Sequence, residues 1–188
     1  MKLRYGKGAV GLAVATLLLS GCALQAPIYQ ASIDNVSGLK RNTARPARVG
    51  TFLVQPGATG GVSIGIRGGS MNSPVGGHYA AYLAEALRAE LDLARRLDPA
   101  ATIAIDGTLL SNDVDAAIDT GTGHMEARFV VTRDGQVRFD KVKRGAQHWS
   151  SSFAANVAVP AAQRAYPEIV QNLLGALFAD PDFQAALQ

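Results

Sequence analysis

The sequence predicts an α+β fold, a two-layer sandwich of a mostly antiparallel sheet with two main helices on one face. Three observations carry this reading. Apolar residues alternate with polar ones at period two in the stretches around 62–66, 102–109 and 124–142. Two other segments, near 78–96 and 160–178, repeat apolar residues at three- and four-residue steps, which puts them on one face of a helix. An apolar-faced helix and a one-sided sheet each need a partner layer, and stacking the two sets is the economical solution.

In chain order, Val49 to Val54 reads as a first strand closed by Gln55-Pro56-Gly57. Val62, Ile64 and Ile66 then alternate with Ser63, Gly65 and Arg67 as a second strand, ended by Gly68-Gly69-Ser70. Asn72-Ser73-Pro74 has the character of a helix start, but Gly76 and Gly77 weaken that turn, so the firm helix is expected nearer His78. Tyr79, Leu83, Leu87, Leu91 and Ala94 share its apolar face, Arg88, Arg95 and Arg96 lie off it, and Asp98-Pro99 stops it.

Thr102 to Leu109 is a strand with Ile103, Ile105 and Leu109 on one side, followed by a polar loop, Ser111 to Gly123. A hairpin comes next, HMEARFVV and QVRFDKV around Arg133-Asp134-Gly135. A two-residue turn would place Val131 opposite Arg138. A three-residue loop would place it opposite Val137, with Phe129 opposite Phe139, and on burial grounds the second register is expected. His148 to Phe153 reads as one more strand. Pro160 opens a last long helix with the stripe Tyr166, Ile169, Val170, Leu173, Leu174, Leu177 and Phe178, which Pro167 must kink or restart. Asp180-Pro181 caps a short helical turn burying Phe183 and Leu187.

This makes residues 48–188 one domain, with no repeat or second linker inside it. The preceding stretch, Ala23 to Pro46, shows little periodicity and reads as an extended linker over residues 22–47, docking through Ile28, Tyr29 and Ile33.

The first 22 residues follow another logic. Lys2, Arg4 and Lys7 form a basic start, Ala9 to Leu19 an apolar run, and Leu19, Ser20 and Gly21 lead into Cys22, the chain's single cysteine. A basic start, a short apolar core and small residues at the exit make a secretory signal. The run is too short to span a bilayer, which takes about 20 residues. Leu19-Ser20-Gly21-Cys22 resembles the lipobox of bacterial lipoproteins. The resemblance implies that residues 1–21 are a signal peptide, that Leu19, Ser20 and Gly21 are recognised by the signal peptidase, and that Cys22 receives the lipid. Ala23 follows the cysteine where an Asp would favour inner-membrane retention, so the same family rule implies the outer membrane, facing the periplasm. The alternatives are an ordinary cleaved signal with an incidental thiol and an uncleaved anchor.

Removing residues 1–21 changes the charge balance. The whole chain has 18 basic and 15 acidic residues, and the three signal lysines and arginines leave the remainder formally neutral. That excludes the domain-wide basic footprint of a nucleic-acid binder. Lys40, Arg41, Arg45 and Arg48 concentrate positive charge in the linker, either lying on anionic head groups or keeping a solvated segment soluble.

The residues offer little chemistry. His78, His124 and His148 have no metal spacing, and one cysteine excludes a thiolate zinc site. Asp113, Asp115 and Asp119 lack the calcium loop's central glycine and final glutamate. The glycines from Gly65 to Gly77 form no phosphate motif, and Ser150, Ser151 and Ser152 lack a nucleophile elbow. No cofactor is implied. Trp149 is either a core anchor or a contact for a partner.

The element order resembles that of small periplasmic lipoproteins, namely the lipopolysaccharide-assembly lipoprotein and the auxiliary lipoproteins of ABC-type lipid transporters. The resemblance implies a non-enzymatic role, bracing an envelope protein partner or guiding a lipid. The competing class is a small-ligand or carbohydrate-acting envelope enzyme, which requires carboxylates such as Asp106 and Glu126 to converge in a pocket.

Overall fold

The computed structural model describes residues 23–41 and 44–188. Its elements in chain order are β1 (Ala23–Gln25), α1 (Ile33–Arg41), β2 (Arg48–Thr59), β3 (Ser63–Ile66), β4 (Gly69–Asn72), α2 (Tyr79–Leu93), β5 (Ile103–Asp115), β6 (Thr120–Arg133), β7 (Gln136–Ser150), α3 (Ala155–Phe178) and α4 (Pro181–Ala186). The fold is the α+β sandwich expected. A four-stranded sheet, β2-β5-β6-β7, is antiparallel except where β2 runs parallel to β5. A smaller sheet, β1-β4-β3, lies beside it and was not foreseen.

The core lies between the large sheet and the helices. Ile103, Ile105 and Leu109 of β5 and Met125, Ala127, Phe129 and Val131 of β6 are buried there. Tyr79, Leu83, Leu87, Leu91 and Ala94 of the α2 region meet them, as do all seven residues of the expected α3 stripe. Gly145 lets α3 approach β7, because a β-carbon there would stand 2.3 Å from the Ile169 carbonyl oxygen.

Several boundaries differ from expectation. The linker is folded: β1 pairs in parallel with β4, and α1 buries Val36 and Leu39. Only two of the nine helical residues are buried, so the sequence shows almost no apolar stripe there. Tyr29 docks, whereas Ile28 and Ile33 are exposed.

Gln55-Pro56-Gly57 does not close β2, which continues to Thr59 through an irregularity in its pairing with β5. The second strand ends before Gly68 as expected, but Gly69 and Ser70 already belong to β4. The polar stretch after Leu109 is mostly strand as well. A bulge at Leu110 resets the alternation, so Asn112 and Val114 point inward and Asp113 and Asp115 outward.

The hairpin takes the two-residue Asp134-Gly135 turn, with both residues at positive φ. The three-residue expectation is corrected. Arg138 is bulged out, so Thr132 pairs with Val137 while Val131 pairs with Phe139 and Phe129 with Lys141. The bulge reconciles a tight turn with an apolar inner face. His148 and Trp149 belong to the end of β7 and not to a separate strand, and Phe153 is exposed.

α3 begins before Pro160 and runs through Pro167 to Phe178 as one helix. An interior proline costs about 3 kcal/mol. Burying one leucine or phenylalanine returns about 1.5–3 kcal/mol, and this helix buries several. As expected, His78 starts α2, its Nδ1 accepting a hydrogen bond from the Ala81 amide at 3.1 Å.

Candidate functional site

Cys22 and the Leu19, Ser20 and Gly21 before it lie outside the described residues. What is visible is where the chain enters the fold. Ala23 pairs with Ser70, and the Arg67-Gly68 turn of the β3–β4 hairpin lies immediately beyond that pair. Arg67 sits at φ 47 and donates from Nε to the Ala116 carbonyl at 2.6 Å and from Nη2 to the Ser152 carbonyl at 2.9 Å. The Ser151 amide donates to the Asp119 carbonyl at 2.9 Å. The hairpin turn, the β5–β6 loop and the β7–α3 connection are thus knitted together around the entry of the chain.

Trp149 is half-buried and lies across β6. A β-carbon on Gly121 would stand 2.2 Å from its indole nitrogen, and one on Gly123 3.3 Å from its ring. The indole N–H is buried without a hydrogen-bond partner among the described residues. A shallow hollow of about 230 Å³ opens beside the ring, lined also by Ser150, Ala161, Arg164, Ala165 and Glu168.

The remaining candidates do not assemble. His78 is occupied as a helix cap, His124 is half-buried on β6 and His148 is exposed on β7. Among the described residues, no group of three or more His, Cys, Asp or Glu could hold a metal ion. Asp106 accepts from the Thr51 amide at 2.7 Å and pairs across the sheet with Val130. Glu126 faces Ser111 and lies 3.6 Å from Arg144. Positions 126 and 130 are four residues apart on β6, about 13 Å along the strand, so these carboxylates do not converge.

A hollow of about 310 Å³ near Phe139 does contain two carboxylates, Asp140 and Asp182. Asp140 is held by Arg128 at 2.6 Å and Asp182 by Lys141 at 2.6 Å. Arg128 keeps the Asp140 carboxyl below the usual carboxylate range. Asp140, held in that pair, is not poised to take or give a proton near neutrality.

Two polar constellations were not anticipated. Glu90, fully buried on α2, accepts through Oε1 from the Tyr29 hydroxyl at 2.6 Å, the Ser32 amide at 2.9 Å and Asn35 Nδ2 at 3.2 Å, while Oε2 has no partner among the described residues. A glutamate seven residues after Leu83, on the apolar face, was the available signal. Near it, Tyr79, Tyr82 and Tyr166 pack edge-on or tilted with centroids 5.3–6.2 Å apart. Their hydroxyls meet Met71 O, Pro27 O and Asn112. Burial pushes all three phenols well above the ordinary tyrosine range. The second constellation is at Asp180, which caps α4 and gathers Lys143 and Lys141 from β7. Lys143 holds its carboxyl well below the usual range, with the Asp182 amide and Lys141 adding to the effect.

No family model matches the sequence, and no curated protein matches it. Solved structures do resemble it. A Xanthomonas campestris protein of family DUF330 is 12% identical, with a TM-score of 0.53 over 86% of this chain and 99% of that one. The likeness is one of fold. A Caulobacter crescentus protein provisionally named a lipoprotein is 16% identical, with a TM-score of 0.42 over 81% of this chain and 93% of that one. A hypothetical protein of Chlamydia trachomatis is 14% identical, with a TM-score of 0.33 over 73% of this chain and all of that one.

Proposed function

We propose that this chain is a lipid-anchored accessory protein of the bacterial cell envelope, held on the outer membrane and facing the periplasm, and that it works by binding and not by catalysis. One observation carries the reading: a basic start and an apolar run lead into Leu19-Ser20-Gly21-Cys22. Acylation also accounts for a lone cysteine in an exported chain, which has no internal disulfide partner. Among the described residues no helix is long and apolar enough to cross a membrane, and a covalent lipid on Cys22 is the proposed attachment. The separation of Asp106 from Glu126 and the ion pairs at Asp140 and Asp182 support binding over hydrolysis. Trp149, with its ring edge on an open hollow, is the residue proposed to meet an envelope protein partner.

Metabolic labelling with palmitate tests the anchor. The wild-type chain is expected to incorporate label and to fractionate with outer membranes, and Cys22→Ser to do neither. An unlabelled wild-type protein that still sediments with membranes would remove the reading. Crosslinking from intact membranes, read by mass spectrometry, then names the partner.

A further inference from the structure

Ala23 already belongs to the fold. It is paired with Ser70, and residue 22 is one Cα step away, about 3.8 Å. Whatever is attached at Cys22 is therefore held against the end of the molecule formed by the Arg67-Gly68 turn. Arg67 joins that turn to the β5–β6 loop and the β7–α3 connection. Each of these presents an apolar side chain to solvent: Ile118 is 53% exposed and Phe153 79%, and Val157 in the first turn of α3 is 52% exposed. Single exposed apolar residues are ordinary. Here three gather at the end where the chain leaves.

Arg45, Arg48 and Arg133 lie at the other end. Arg48 pairs with Ala104, the Arg45 amide bonds to the Leu187 carbonyl, and Ile103 of β5 faces Arg133 beside the β6–β7 turn. The thirteen residues of β5, about 3.3 Å each, separate the two ends by roughly 40 Å. At the Ile118 end the exposed charges include Arg67, Asp115 and Asp119, with Arg164 and Glu168 beside the Trp149 hollow, a mixed set that does not favour an anionic surface.

We propose that this end is a membrane-docking surface. Phe153, Ile118 and Val157 enter the boundary between head groups and acyl chains of a zwitterionic lipid surface, and the Asp134-Gly135 turn points away into the aqueous space. The inference rests on the lipid anchoring proposed above. Apolar side chains add their own burial to the anchor, and the covalent link at the same end fixes which face is presented.

The test uses full-length acylated protein in phosphatidylcholine vesicles, carrying one introduced cysteine, Ile118→Cys or Asp134→Cys, with an environment-sensitive fluorophore. Acylation blocks Cys22, so the label has one site. With a nitroxide on the lipid acyl chains, the label at 118 is expected to be quenched several-fold more than the label at 134. Adding phosphatidylglycerol is expected to leave that contrast unchanged, and a contrast that arises only with the anionic lipid overturns the zwitterionic assignment. Equal quenching at the two positions, with the diacylglyceryl mass found on Cys22, overturns the orientation and leaves the anchor standing. Absence of that mass overturns the anchor and the orientation together.

Discussion

Glu90 ties the N-terminal segment to the body through three donors on one carboxylate oxygen. Glu90→Ala removes the acceptor of three half-buried donors, of which Asn35 keeps the Gln171 carbonyl, and a buried group left without a partner costs about 1–3 kcal/mol. We expect a loss on the order of 3 kcal/mol in urea unfolding, and a smaller one for Glu90→Gln, which keeps an acceptor oxygen. The tyrosines make a second residue-scale prediction. Tyr29, Tyr79, Tyr82 and Tyr166 all have hydroxyls pushed above the ordinary range, with burial the largest cause. A raised acid favours the folded state below its unfolded value, about 10, and loses that contribution as pH climbs further. Tyrosinate absorbance of the mature chain is therefore expected to stay low at pH 10 and to rise together with unfolding. These networks were hardly visible in the sequence, because a glutamate and a few tyrosines on helical stripes do not say which backbone groups will reach them.

At the scale of elements, α3 and α4 carry the next predictions. Pro167 deletes one helical hydrogen bond within a stripe that stays buried on both sides of it. Pro167→Ala restores the N–H, and part of the ~3 kcal/mol interior-proline penalty returns, less about 0.4–1 kcal/mol of unfolded-state entropy. The variant is expected to unfold at higher urea by about 1–2 kcal/mol. α4 depends on Asp180 and the β7 lysines. Its carboxyl is held below the usual range chiefly by Lys143, so the contribution is present above about pH 4 and fades as pH falls. The stability gap between wild type and Asp180→Asn should accordingly narrow from pH 5 toward pH 2.5. Gly135 makes a local prediction: at φ +76 an alanine is strained by roughly 1–2 kcal/mol, and Gly135→Ala should lower the unfolding midpoint accordingly.

The whole molecule has two unlike ends, one at the entry of the chain and one at the hairpin turn, joined by the long strands and α3. The sequence by itself determined the α+β class, the alternation of Ile103, Ile105 and Leu109, the apolar stripes of α2 and α3, and the lipobox-like stretch at Cys22. Those features are written in local period and local chemistry, and a single segment is enough to display them. The tertiary structure alone decided that residues 23–41 are folded, that Arg138 bulges to bring Phe139 opposite Val131, and that Asn112 lies inside a strand. It alone placed Lys40, Arg41, Arg45 and Arg48 far from Ala23, with α1 lying against α3 and α4. Each of these depends on a partner distant in the chain, such as Glu90 for Ser32 or Tyr166 for Asn112, and no local pattern names that partner.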